Sequence, residues 1–130
     1  PVFNWQGRIL QVRNAKAGDK VGYGGTYELQ RDSHIATIGV GYADGYFREL
    51  SNKANVLIGN HVAPVIGRVS MDSITVDVTD LVQDDIKTKA ASLLHSGYGL
   101  EKMANDIGTI PYEVITNLGH RAKWQYISKS

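Results

Sequence analysis

The sequence predicts a mainly β domain, a small barrel or a sandwich, that ends in one or two short helices. Three observations predict it. Apolar residues alternate with polar or small ones in several short stretches, the period of a strand with one buried face. Turn signals built on glycine separate those stretches at the close spacing of an all-β fold. From Gly99 onward the apolar spacing changes to that of a helix.

Taken in order, "VFNWQGRILQVRNA" (residues 2–15) sets short apolar runs around Gly7 and suits an extended segment. "HIATIGVGY" (34–42) alternates Ala36, Ile38 and Val40 against Thr37, Gly39 and Gly41. In "NVLIGNHVAPVIG" (55–67) two apolar runs flank Gly59-Asn60, a pair that predicts a two-residue hairpin turn. "SITVDVTD" (73–80) again has period two, with Ile74, Val76 and Val78 on one face. In "GLEKMANDIG" (99–108), Leu100, Met103, Ala104 and Ile107 fall at helical spacing and Gly108 marks the stop. "PYEVITNLG" (111–119) opens on Pro111 and closes on Gly119, the usual asymmetry of a short helix. "KWQYIS" (123–128) reads as a last strand.

Composition bounds the function. At 130 residues, the chain is one domain with room for one core, short for a complete cofactor-dependent enzyme. Hydrophobic residues make up 42% and charged residues 21%, so the chain folds rather than staying disordered. A formal net charge of +1 leaves no footprint for nucleic acid or an acidic membrane. With zero cysteines, disulfides, thiolate metal ligands and a cysteine nucleophile are excluded. His34, His61, His95 and His120 are widely spaced and none pairs at ligand spacing, so no metal site is expected. No apolar run reaches membrane-spanning length and the N-terminal stretch lacks a signal-peptide pattern. The expectation is a soluble, cytoplasmic protein.

One stretch stands out. In "DKVGYGGTYEL" (19–29), Tyr23 lies among Gly22, Gly24 and Gly25. Glycine there suits a tight bend or the close approach of another molecule. "GYGG" is too short for a phosphate-binding fingerprint and does not lead into a helix, and no serine sits in a nucleophile elbow.

Three motifs together carry a resemblance: "VGYGGTY" (21–27), "VGYADGYFR" (40–48) and "PVIGRVSMDSITVDV" (64–78). In this order and spacing they resemble the C-terminal domain of the alanine racemase family, and "GTIPYEVITNLGHR" (108–121) resembles its closing segment. The likeness is weakest at residues 81–99, where the family shows a compact Gly-Asp turn and one more short strand. No functional residue is assigned there.

The resemblance implies that residues 1–130 form a β domain around a small closed Greek-key barrel. In the family this domain follows a (β/α)₈ barrel that binds pyridoxal 5′-phosphate covalently through a lysine. That barrel is absent from this chain, which corresponds to half an enzyme and should be inactive alone. The implied activity is interconversion of L- and D-alanine, supplying D-alanine for peptidoglycan, in a head-to-tail homodimer. Racemisation needs a proton removed from one face of the α-carbon and returned on the other, so one base per face. Tyr23 matches the tyrosine that serves one face, in trans across the dimer. A free phenol titrates near 10, so a nearby cation or hydrogen bonds must lower it.

By the same resemblance, the backbone N–H of Met71 helps bind the substrate carboxylate and Tyr42 narrows the inner gate. Arg48, Arg68, Asp72 and Ile110 line the corridor into the site, and Tyr112 bonds the cofactor phosphate. Without the resemblance, Met71 would read as core packing, and Arg68 with Asp72 as a surface ion pair. Asp44 reads as a turn residue. Two rival classes are a serine or broad-specificity racemase, or a related decarboxylase, and a stand-alone small-barrel binding module. The decarboxylases often present a cysteine from this domain, and none is here. Low net charge and two tryptophans speak against a binding module for oligonucleotides or sugars.

Overall fold

The computed structural model describes residues 2–22, 24–81, 89–95, 97–118 and 125–127. Its strands are β1 (Val2–Asn4), β2 (Gln6–Ala15), β3 (Lys20–Val21), β4 (Tyr27–Glu28), β5 (Ser33–Ile38), β6 (Asn55–Ile58), β7 (His61–Pro64), β8 (Ile74–Asp77), β9 (Ala90–Ser92) and β10 (Gln125–Ile127). Two helices, α1 (Leu100–Ile107) and α2 (Pro111–Leu118), follow β9. Mainly β with helices near the C-terminus is what the residue patterns predict.

Six strands form one sheet in the order β7-β6-β9-β2-β5-β8, while β1 pairs with β10 and β3 with β4. Every described pairing is antiparallel. The outer strands meet at one bridge, Val65 to Val76, and the Ile66 N–H donates to the Thr75 carbonyl at 2.9 Å. The β6–β7 hairpin turns at Gly59-Asn60 as predicted, with Ile58 opposite His61. Gly59 has φ of 61° and Asn60 is not left-handed, the sign pattern of a type II′ turn.

Alternation decides what is buried. Ile38, Val56, Ile58, Ile74 and Val76 point into the main core and are fully buried, while Ile35, out of phase with Ile38, is buried on the other face of β5. The main core runs from Trp5 through these strands to Met103 and Val114 of the helices. Trp5 and Tyr46 meet within it, ring centroids 5.6 Å apart. A second, smaller cluster joins Ala15, Val21, Leu29, Ile35 and Ile66. It sits under the glycine turn, because Val21 precedes Gly22 and Ile66 precedes Gly67.

Helix α1 stops at Gly108, whose φ of 89° is the left-handed conformation that glycine adopts without strain. The Gly119 stop predicted for α2 lies outside the described residues, as do His120, Arg121 and Lys123. Among the described residues no helix is long and apolar enough to cross a membrane.

Candidate active site

Three loops at one end of the sheet meet through backbone contacts that only glycine permits. The first contact is Gly22 against Gly67. A Cβ added to either would lie 2.6 Å from the other's Cα, closer than real atoms come, and both residues have positive φ. The second is Gly41, where a Cβ would meet the Ser70 carbonyl oxygen at 2.3 Å and that of Met71 at 2.4 Å. Glycine is therefore required at both contacts, and the reason is the approach of another backbone.

The 41–46 turn is built on the second contact. Tyr42 N–H donates to the Ser70 carbonyl and Ala43 N–H to that of Met71, both at 3.0 Å. Asp44 Oδ2 accepts from Gly41 N–H at 3.1 Å, so Asp44 is the turn residue its sequence context predicts. Tyr46 then dives into the core, fully buried. The result leaves Tyr42 43% exposed, with the Arg48 guanidinium 5.1 Å from its ring centroid, a cation–π pairing.

The 67–73 loop leaves the sheet after Ile66 and returns at Ile74. Its amides are held by side chains: Gly67 N–H donates to Asn52 Oδ1 at 2.6 Å, Arg68 N–H to Thr26 Oγ1 at 2.9 Å, and Val69 N–H to Ser51 Oγ at 2.9 Å. Ser70 N–H donates to the Ser73 carbonyl. Met71 follows on the exposed crest, 51% exposed, and among the described residues its N–H has no hydrogen-bond acceptor. Core packing is therefore the wrong reading of Met71. No ion pair joins Arg68 to Asp72 among the described residues either; Asp72 is exposed.

Arg48 and Arg68, separated in sequence, line one open groove of about 460 Å³ with Glu49 and Ser51. Arg68 also approaches the glycine turn, its Nη1 lying 3.9 Å from where a Gly24 Cβ would stand. Tyr23 itself lies outside the described residues. Its neighbours Gly22 and Gly25 are joined by a 3.0 Å hydrogen bond from Gly25 N–H to the Gly22 carbonyl. Ile110 and Tyr112 belong to the α1–α2 junction instead, 61% and 74% exposed. Helix α1 reaches the 48–53 loop, where Lys53 Nζ donates to the Asp106 carbonyl at 3.4 Å.

Three participants escaped the sequence reading: Asn52, Ser51 and Thr26, the side chains that hold the 67–69 backbone. In sequence they are ordinary polar loop residues.

The profile of the family described as alanine racemase, C-terminal domain, matches residues 2–126. The chain belongs to that family. Alanine racemase from Brucella canis is 48% identical over 128 residues, which is 98% of this chain and 32% of the relative. That from Rickettsia africae is 44% identical over 92% of this chain and 34% of its own length. Among solved structures, alanine racemase from Bartonella henselae with covalently bound pyridoxal phosphate superposes with a TM-score of 0.80 at 42% identity, covering 91% of this chain and 33% of that one. The alanine racemase of Clostridium difficile in complex with cycloserine gives 0.83 at 30% identity, with 94% and 32% covered. The chain thus spans about a third of the length of the alanine racemases it matches.

Proposed function

We propose that this domain completes the active site of an alanine racemase, with Tyr23 as the proton-transferring base on one face of the substrate. The observation that carries the reading is the exposed Met71 crest. Its N–H has no acceptor among the described residues, and hydrogen bonds to Ser70 and Met71 hold Tyr42 beside it. A fixed main-chain donor of this kind suits a substrate carboxylate, because it needs no reorganisation when the charge arrives.

The domain's residues fit a contributing share of a pyridoxal-phosphate site. Tyr112, exposed at the start of α2, would donate its phenol to the phosphate. The described lysines Lys16, Lys20, Lys53, Lys89 and Lys102 are all exposed, so none of them is placed as a covalent anchor in an enclosed site. When bound, the cofactor supplies an electron sink that lowers the barrier to losing the α-proton. Tyr23 moves that proton on its face, and the cation that favours its phenolate comes from the larger barrel of the assembled dimer. Tyr42 limits the space available to the substrate side chain, and Arg48, Arg68, Asp72 and Ile110 line the approach.

The sheet curls into the small barrel of the family in this reading, supported by the Val65–Val76 bridge between its outer strands. The tyrosine serves the site of a partner subunit in a head-to-tail dimer, in the cytoplasm, and the product feeds peptidoglycan synthesis. One assay tests the reading: α-proton exchange from each alanine enantiomer by the full-length enzyme, by its Tyr23→Phe variant and by this domain alone. The domain alone is expected to be inactive. Tyr23→Phe should lose about 10²–10⁴ in rate, far more from L-alanine than from D-alanine. Equal losses would remove Tyr23 from the role of face-specific base.

A further inference from the structure

We infer that Asn52, Thr26 and Ser51 are positioning residues of this site: their side-chain oxygens fix the Gly67–Val69 backbone and, through it, the direction of the Met71 N–H. The inference rests on the racemase reading for its kinetic consequence and on the hydrogen bonds alone for its structural part.

The argument begins where the chain leaves the sheet. Ile66 N–H still bonds to the Thr75 carbonyl, and Ile74 is already back in β8. Between them the backbone has no strand ladder, yet its amides must be satisfied. Gly67, Arg68 and Val69 each find a side-chain oxygen from another loop, and Ser70 closes on Ser73. Met71 is the first residue whose N–H is left over. Three oxygens therefore set the path of the chain that ends in that donor.

Two details favour a selected arrangement over chance contacts. Asn52 holds a left-handed backbone, φ 60°, a conformation L-residues rarely adopt and asparagine or aspartate tolerate best. Ser51 works in both directions, accepting from Val69 N–H and donating to the Arg48 carbonyl at 2.6 Å. It thereby ties the groove arginine Arg48 to the loop that carries Arg68. Thr26 adds the third tie, from the segment just after the Tyr23 turn. All three oxygens belong to neutral groups, so they fix geometry without adding charge to the site.

Four variants test this. Asn52→Gly keeps the left-handed backbone and deletes the acceptor, whereas Asn52→Asp keeps an acceptor oxygen. Thr26→Val is close in shape and deletes the oxygen, whereas Thr26→Ser restores it. On the 130-residue chain itself, amide hydrogen exchange across residues 64–72 should quicken about tenfold in Asn52→Gly and Thr26→Val, with protection kept in Asn52→Asp and Thr26→Ser. In the full-length enzyme, Asn52→Gly should raise KM for both alanine enantiomers about tenfold, with a smaller change in kcat, because the carboxylate donor has shifted. Unchanged exchange in both deletions would refute the clamp. Faster exchange with unchanged KM would refute its positioning role, as would a KM defect that the oxygen-restoring variants fail to rescue. Should the unmodified enzyme not racemise alanine, the functional reading fails, and the exchange data still decide the clamp.

Discussion

The pairing of β5 with β8 and the loop just upstream of β8 are built on different principles. Between the strands, Ile35 to Ile38 face Asp77 to Ile74 in an unbroken antiparallel register. Ile38, Ile74 and Val76 are buried on one face of it and Ile35 on the other. In the loop, Gly67–Val69 is held by side-chain oxygens and by a glycine-to-glycine backbone contact. Met71 beyond it stays half exposed. The sheet derives its stability from area removed from water, roughly 25 cal/mol per Å². Apart from Val69, which is buried in the main core, the loop has little such area, and its shape depends on a few directional bonds. Stability and site geometry are therefore separable here, and three measurements test how far.

The largest effect should come from the sheet. Ile58 is fully buried in β6, and Ile58→Ala should cost about 2–5 kcal/mol through lost burial and a residual cavity. Urea unfolding should show the midpoint falling with an unchanged m-value. A cost below about 1 kcal/mol would mean that the sheet is not where the stability resides.

Next comes the glycine contact. Gly67→Ala would press a Cβ to 2.6 Å from the Gly22 Cα, with φ at +76°. Gly24→Ala has nearly the same φ, +75°, but its Cβ meets nothing closer than 3.9 Å. The left-handed penalty of about 1–2 kcal/mol is common to both, while overpacking adds about 1–3 kcal/mol only at Gly67. Thermal unfolding of the pair isolates the contact, and equal losses would show that the two loops do not need to touch.

The smallest effect is a pH dependence. His95 Nε2 lies 2.8 Å from Asn55 Oδ1, and Gly97 N–H donates to Nδ1 at 3.2 Å. That arrangement needs a neutral ring with its proton on Nε2. Burial of the ring pulls its pKa below the ordinary histidine value. The unfolded chain then binds the extra proton first as pH falls below about 6.5, so stability present above that pH declines below it. Unfolding free energies of the wild type and His95→Asn between about pH 7.5 and 5.5 should differ in slope, with the variant flatter. Parallel slopes would place the pH response elsewhere.

Much of the sheet was legible because burial imposes a period on the sequence. β6 and β8 alternate, as does β5 from Ala36 onward, and Gly59-Asn60 carries its turn chemistry in two letters. β9 was not legible: Ala90-Ala91-Ser92 has neither alternation nor strand-forming side chains, and it is a strand because β2 and β6 flank it. In the site, the glycines around Tyr23 signalled a special backbone, but nothing in the sequence says that Gly22 faces Gly67. Such pairings are made through space between residues that are each unremarkable locally. Met71 misleads in the other direction, since its apolar side chain suggests core packing and it is half exposed. Asn52 reads as a loop residue until its oxygen is seen on Gly67 N–H.

The position of β9 also bears on how the chain reaches its fold. Gly7 pairs with Ala91, and Phe3 with Tyr126, so β1 and one edge of β2 find partners only far along the sequence, while the other edge of β2 meets β5 early. The β6–β7 hairpin can close on its own, but among the described residues the ribbon of β2, β5 and β8 joins it through β9 and through the Val65–Val76 bridge with the adjoining Ile66–Thr75 hydrogen bond. Such long-range closure is slow, placing the domain with folds that form in about milliseconds to seconds rather than microseconds. During synthesis, β2 waits with one edge uncovered until Ala90–Ser92 has emerged.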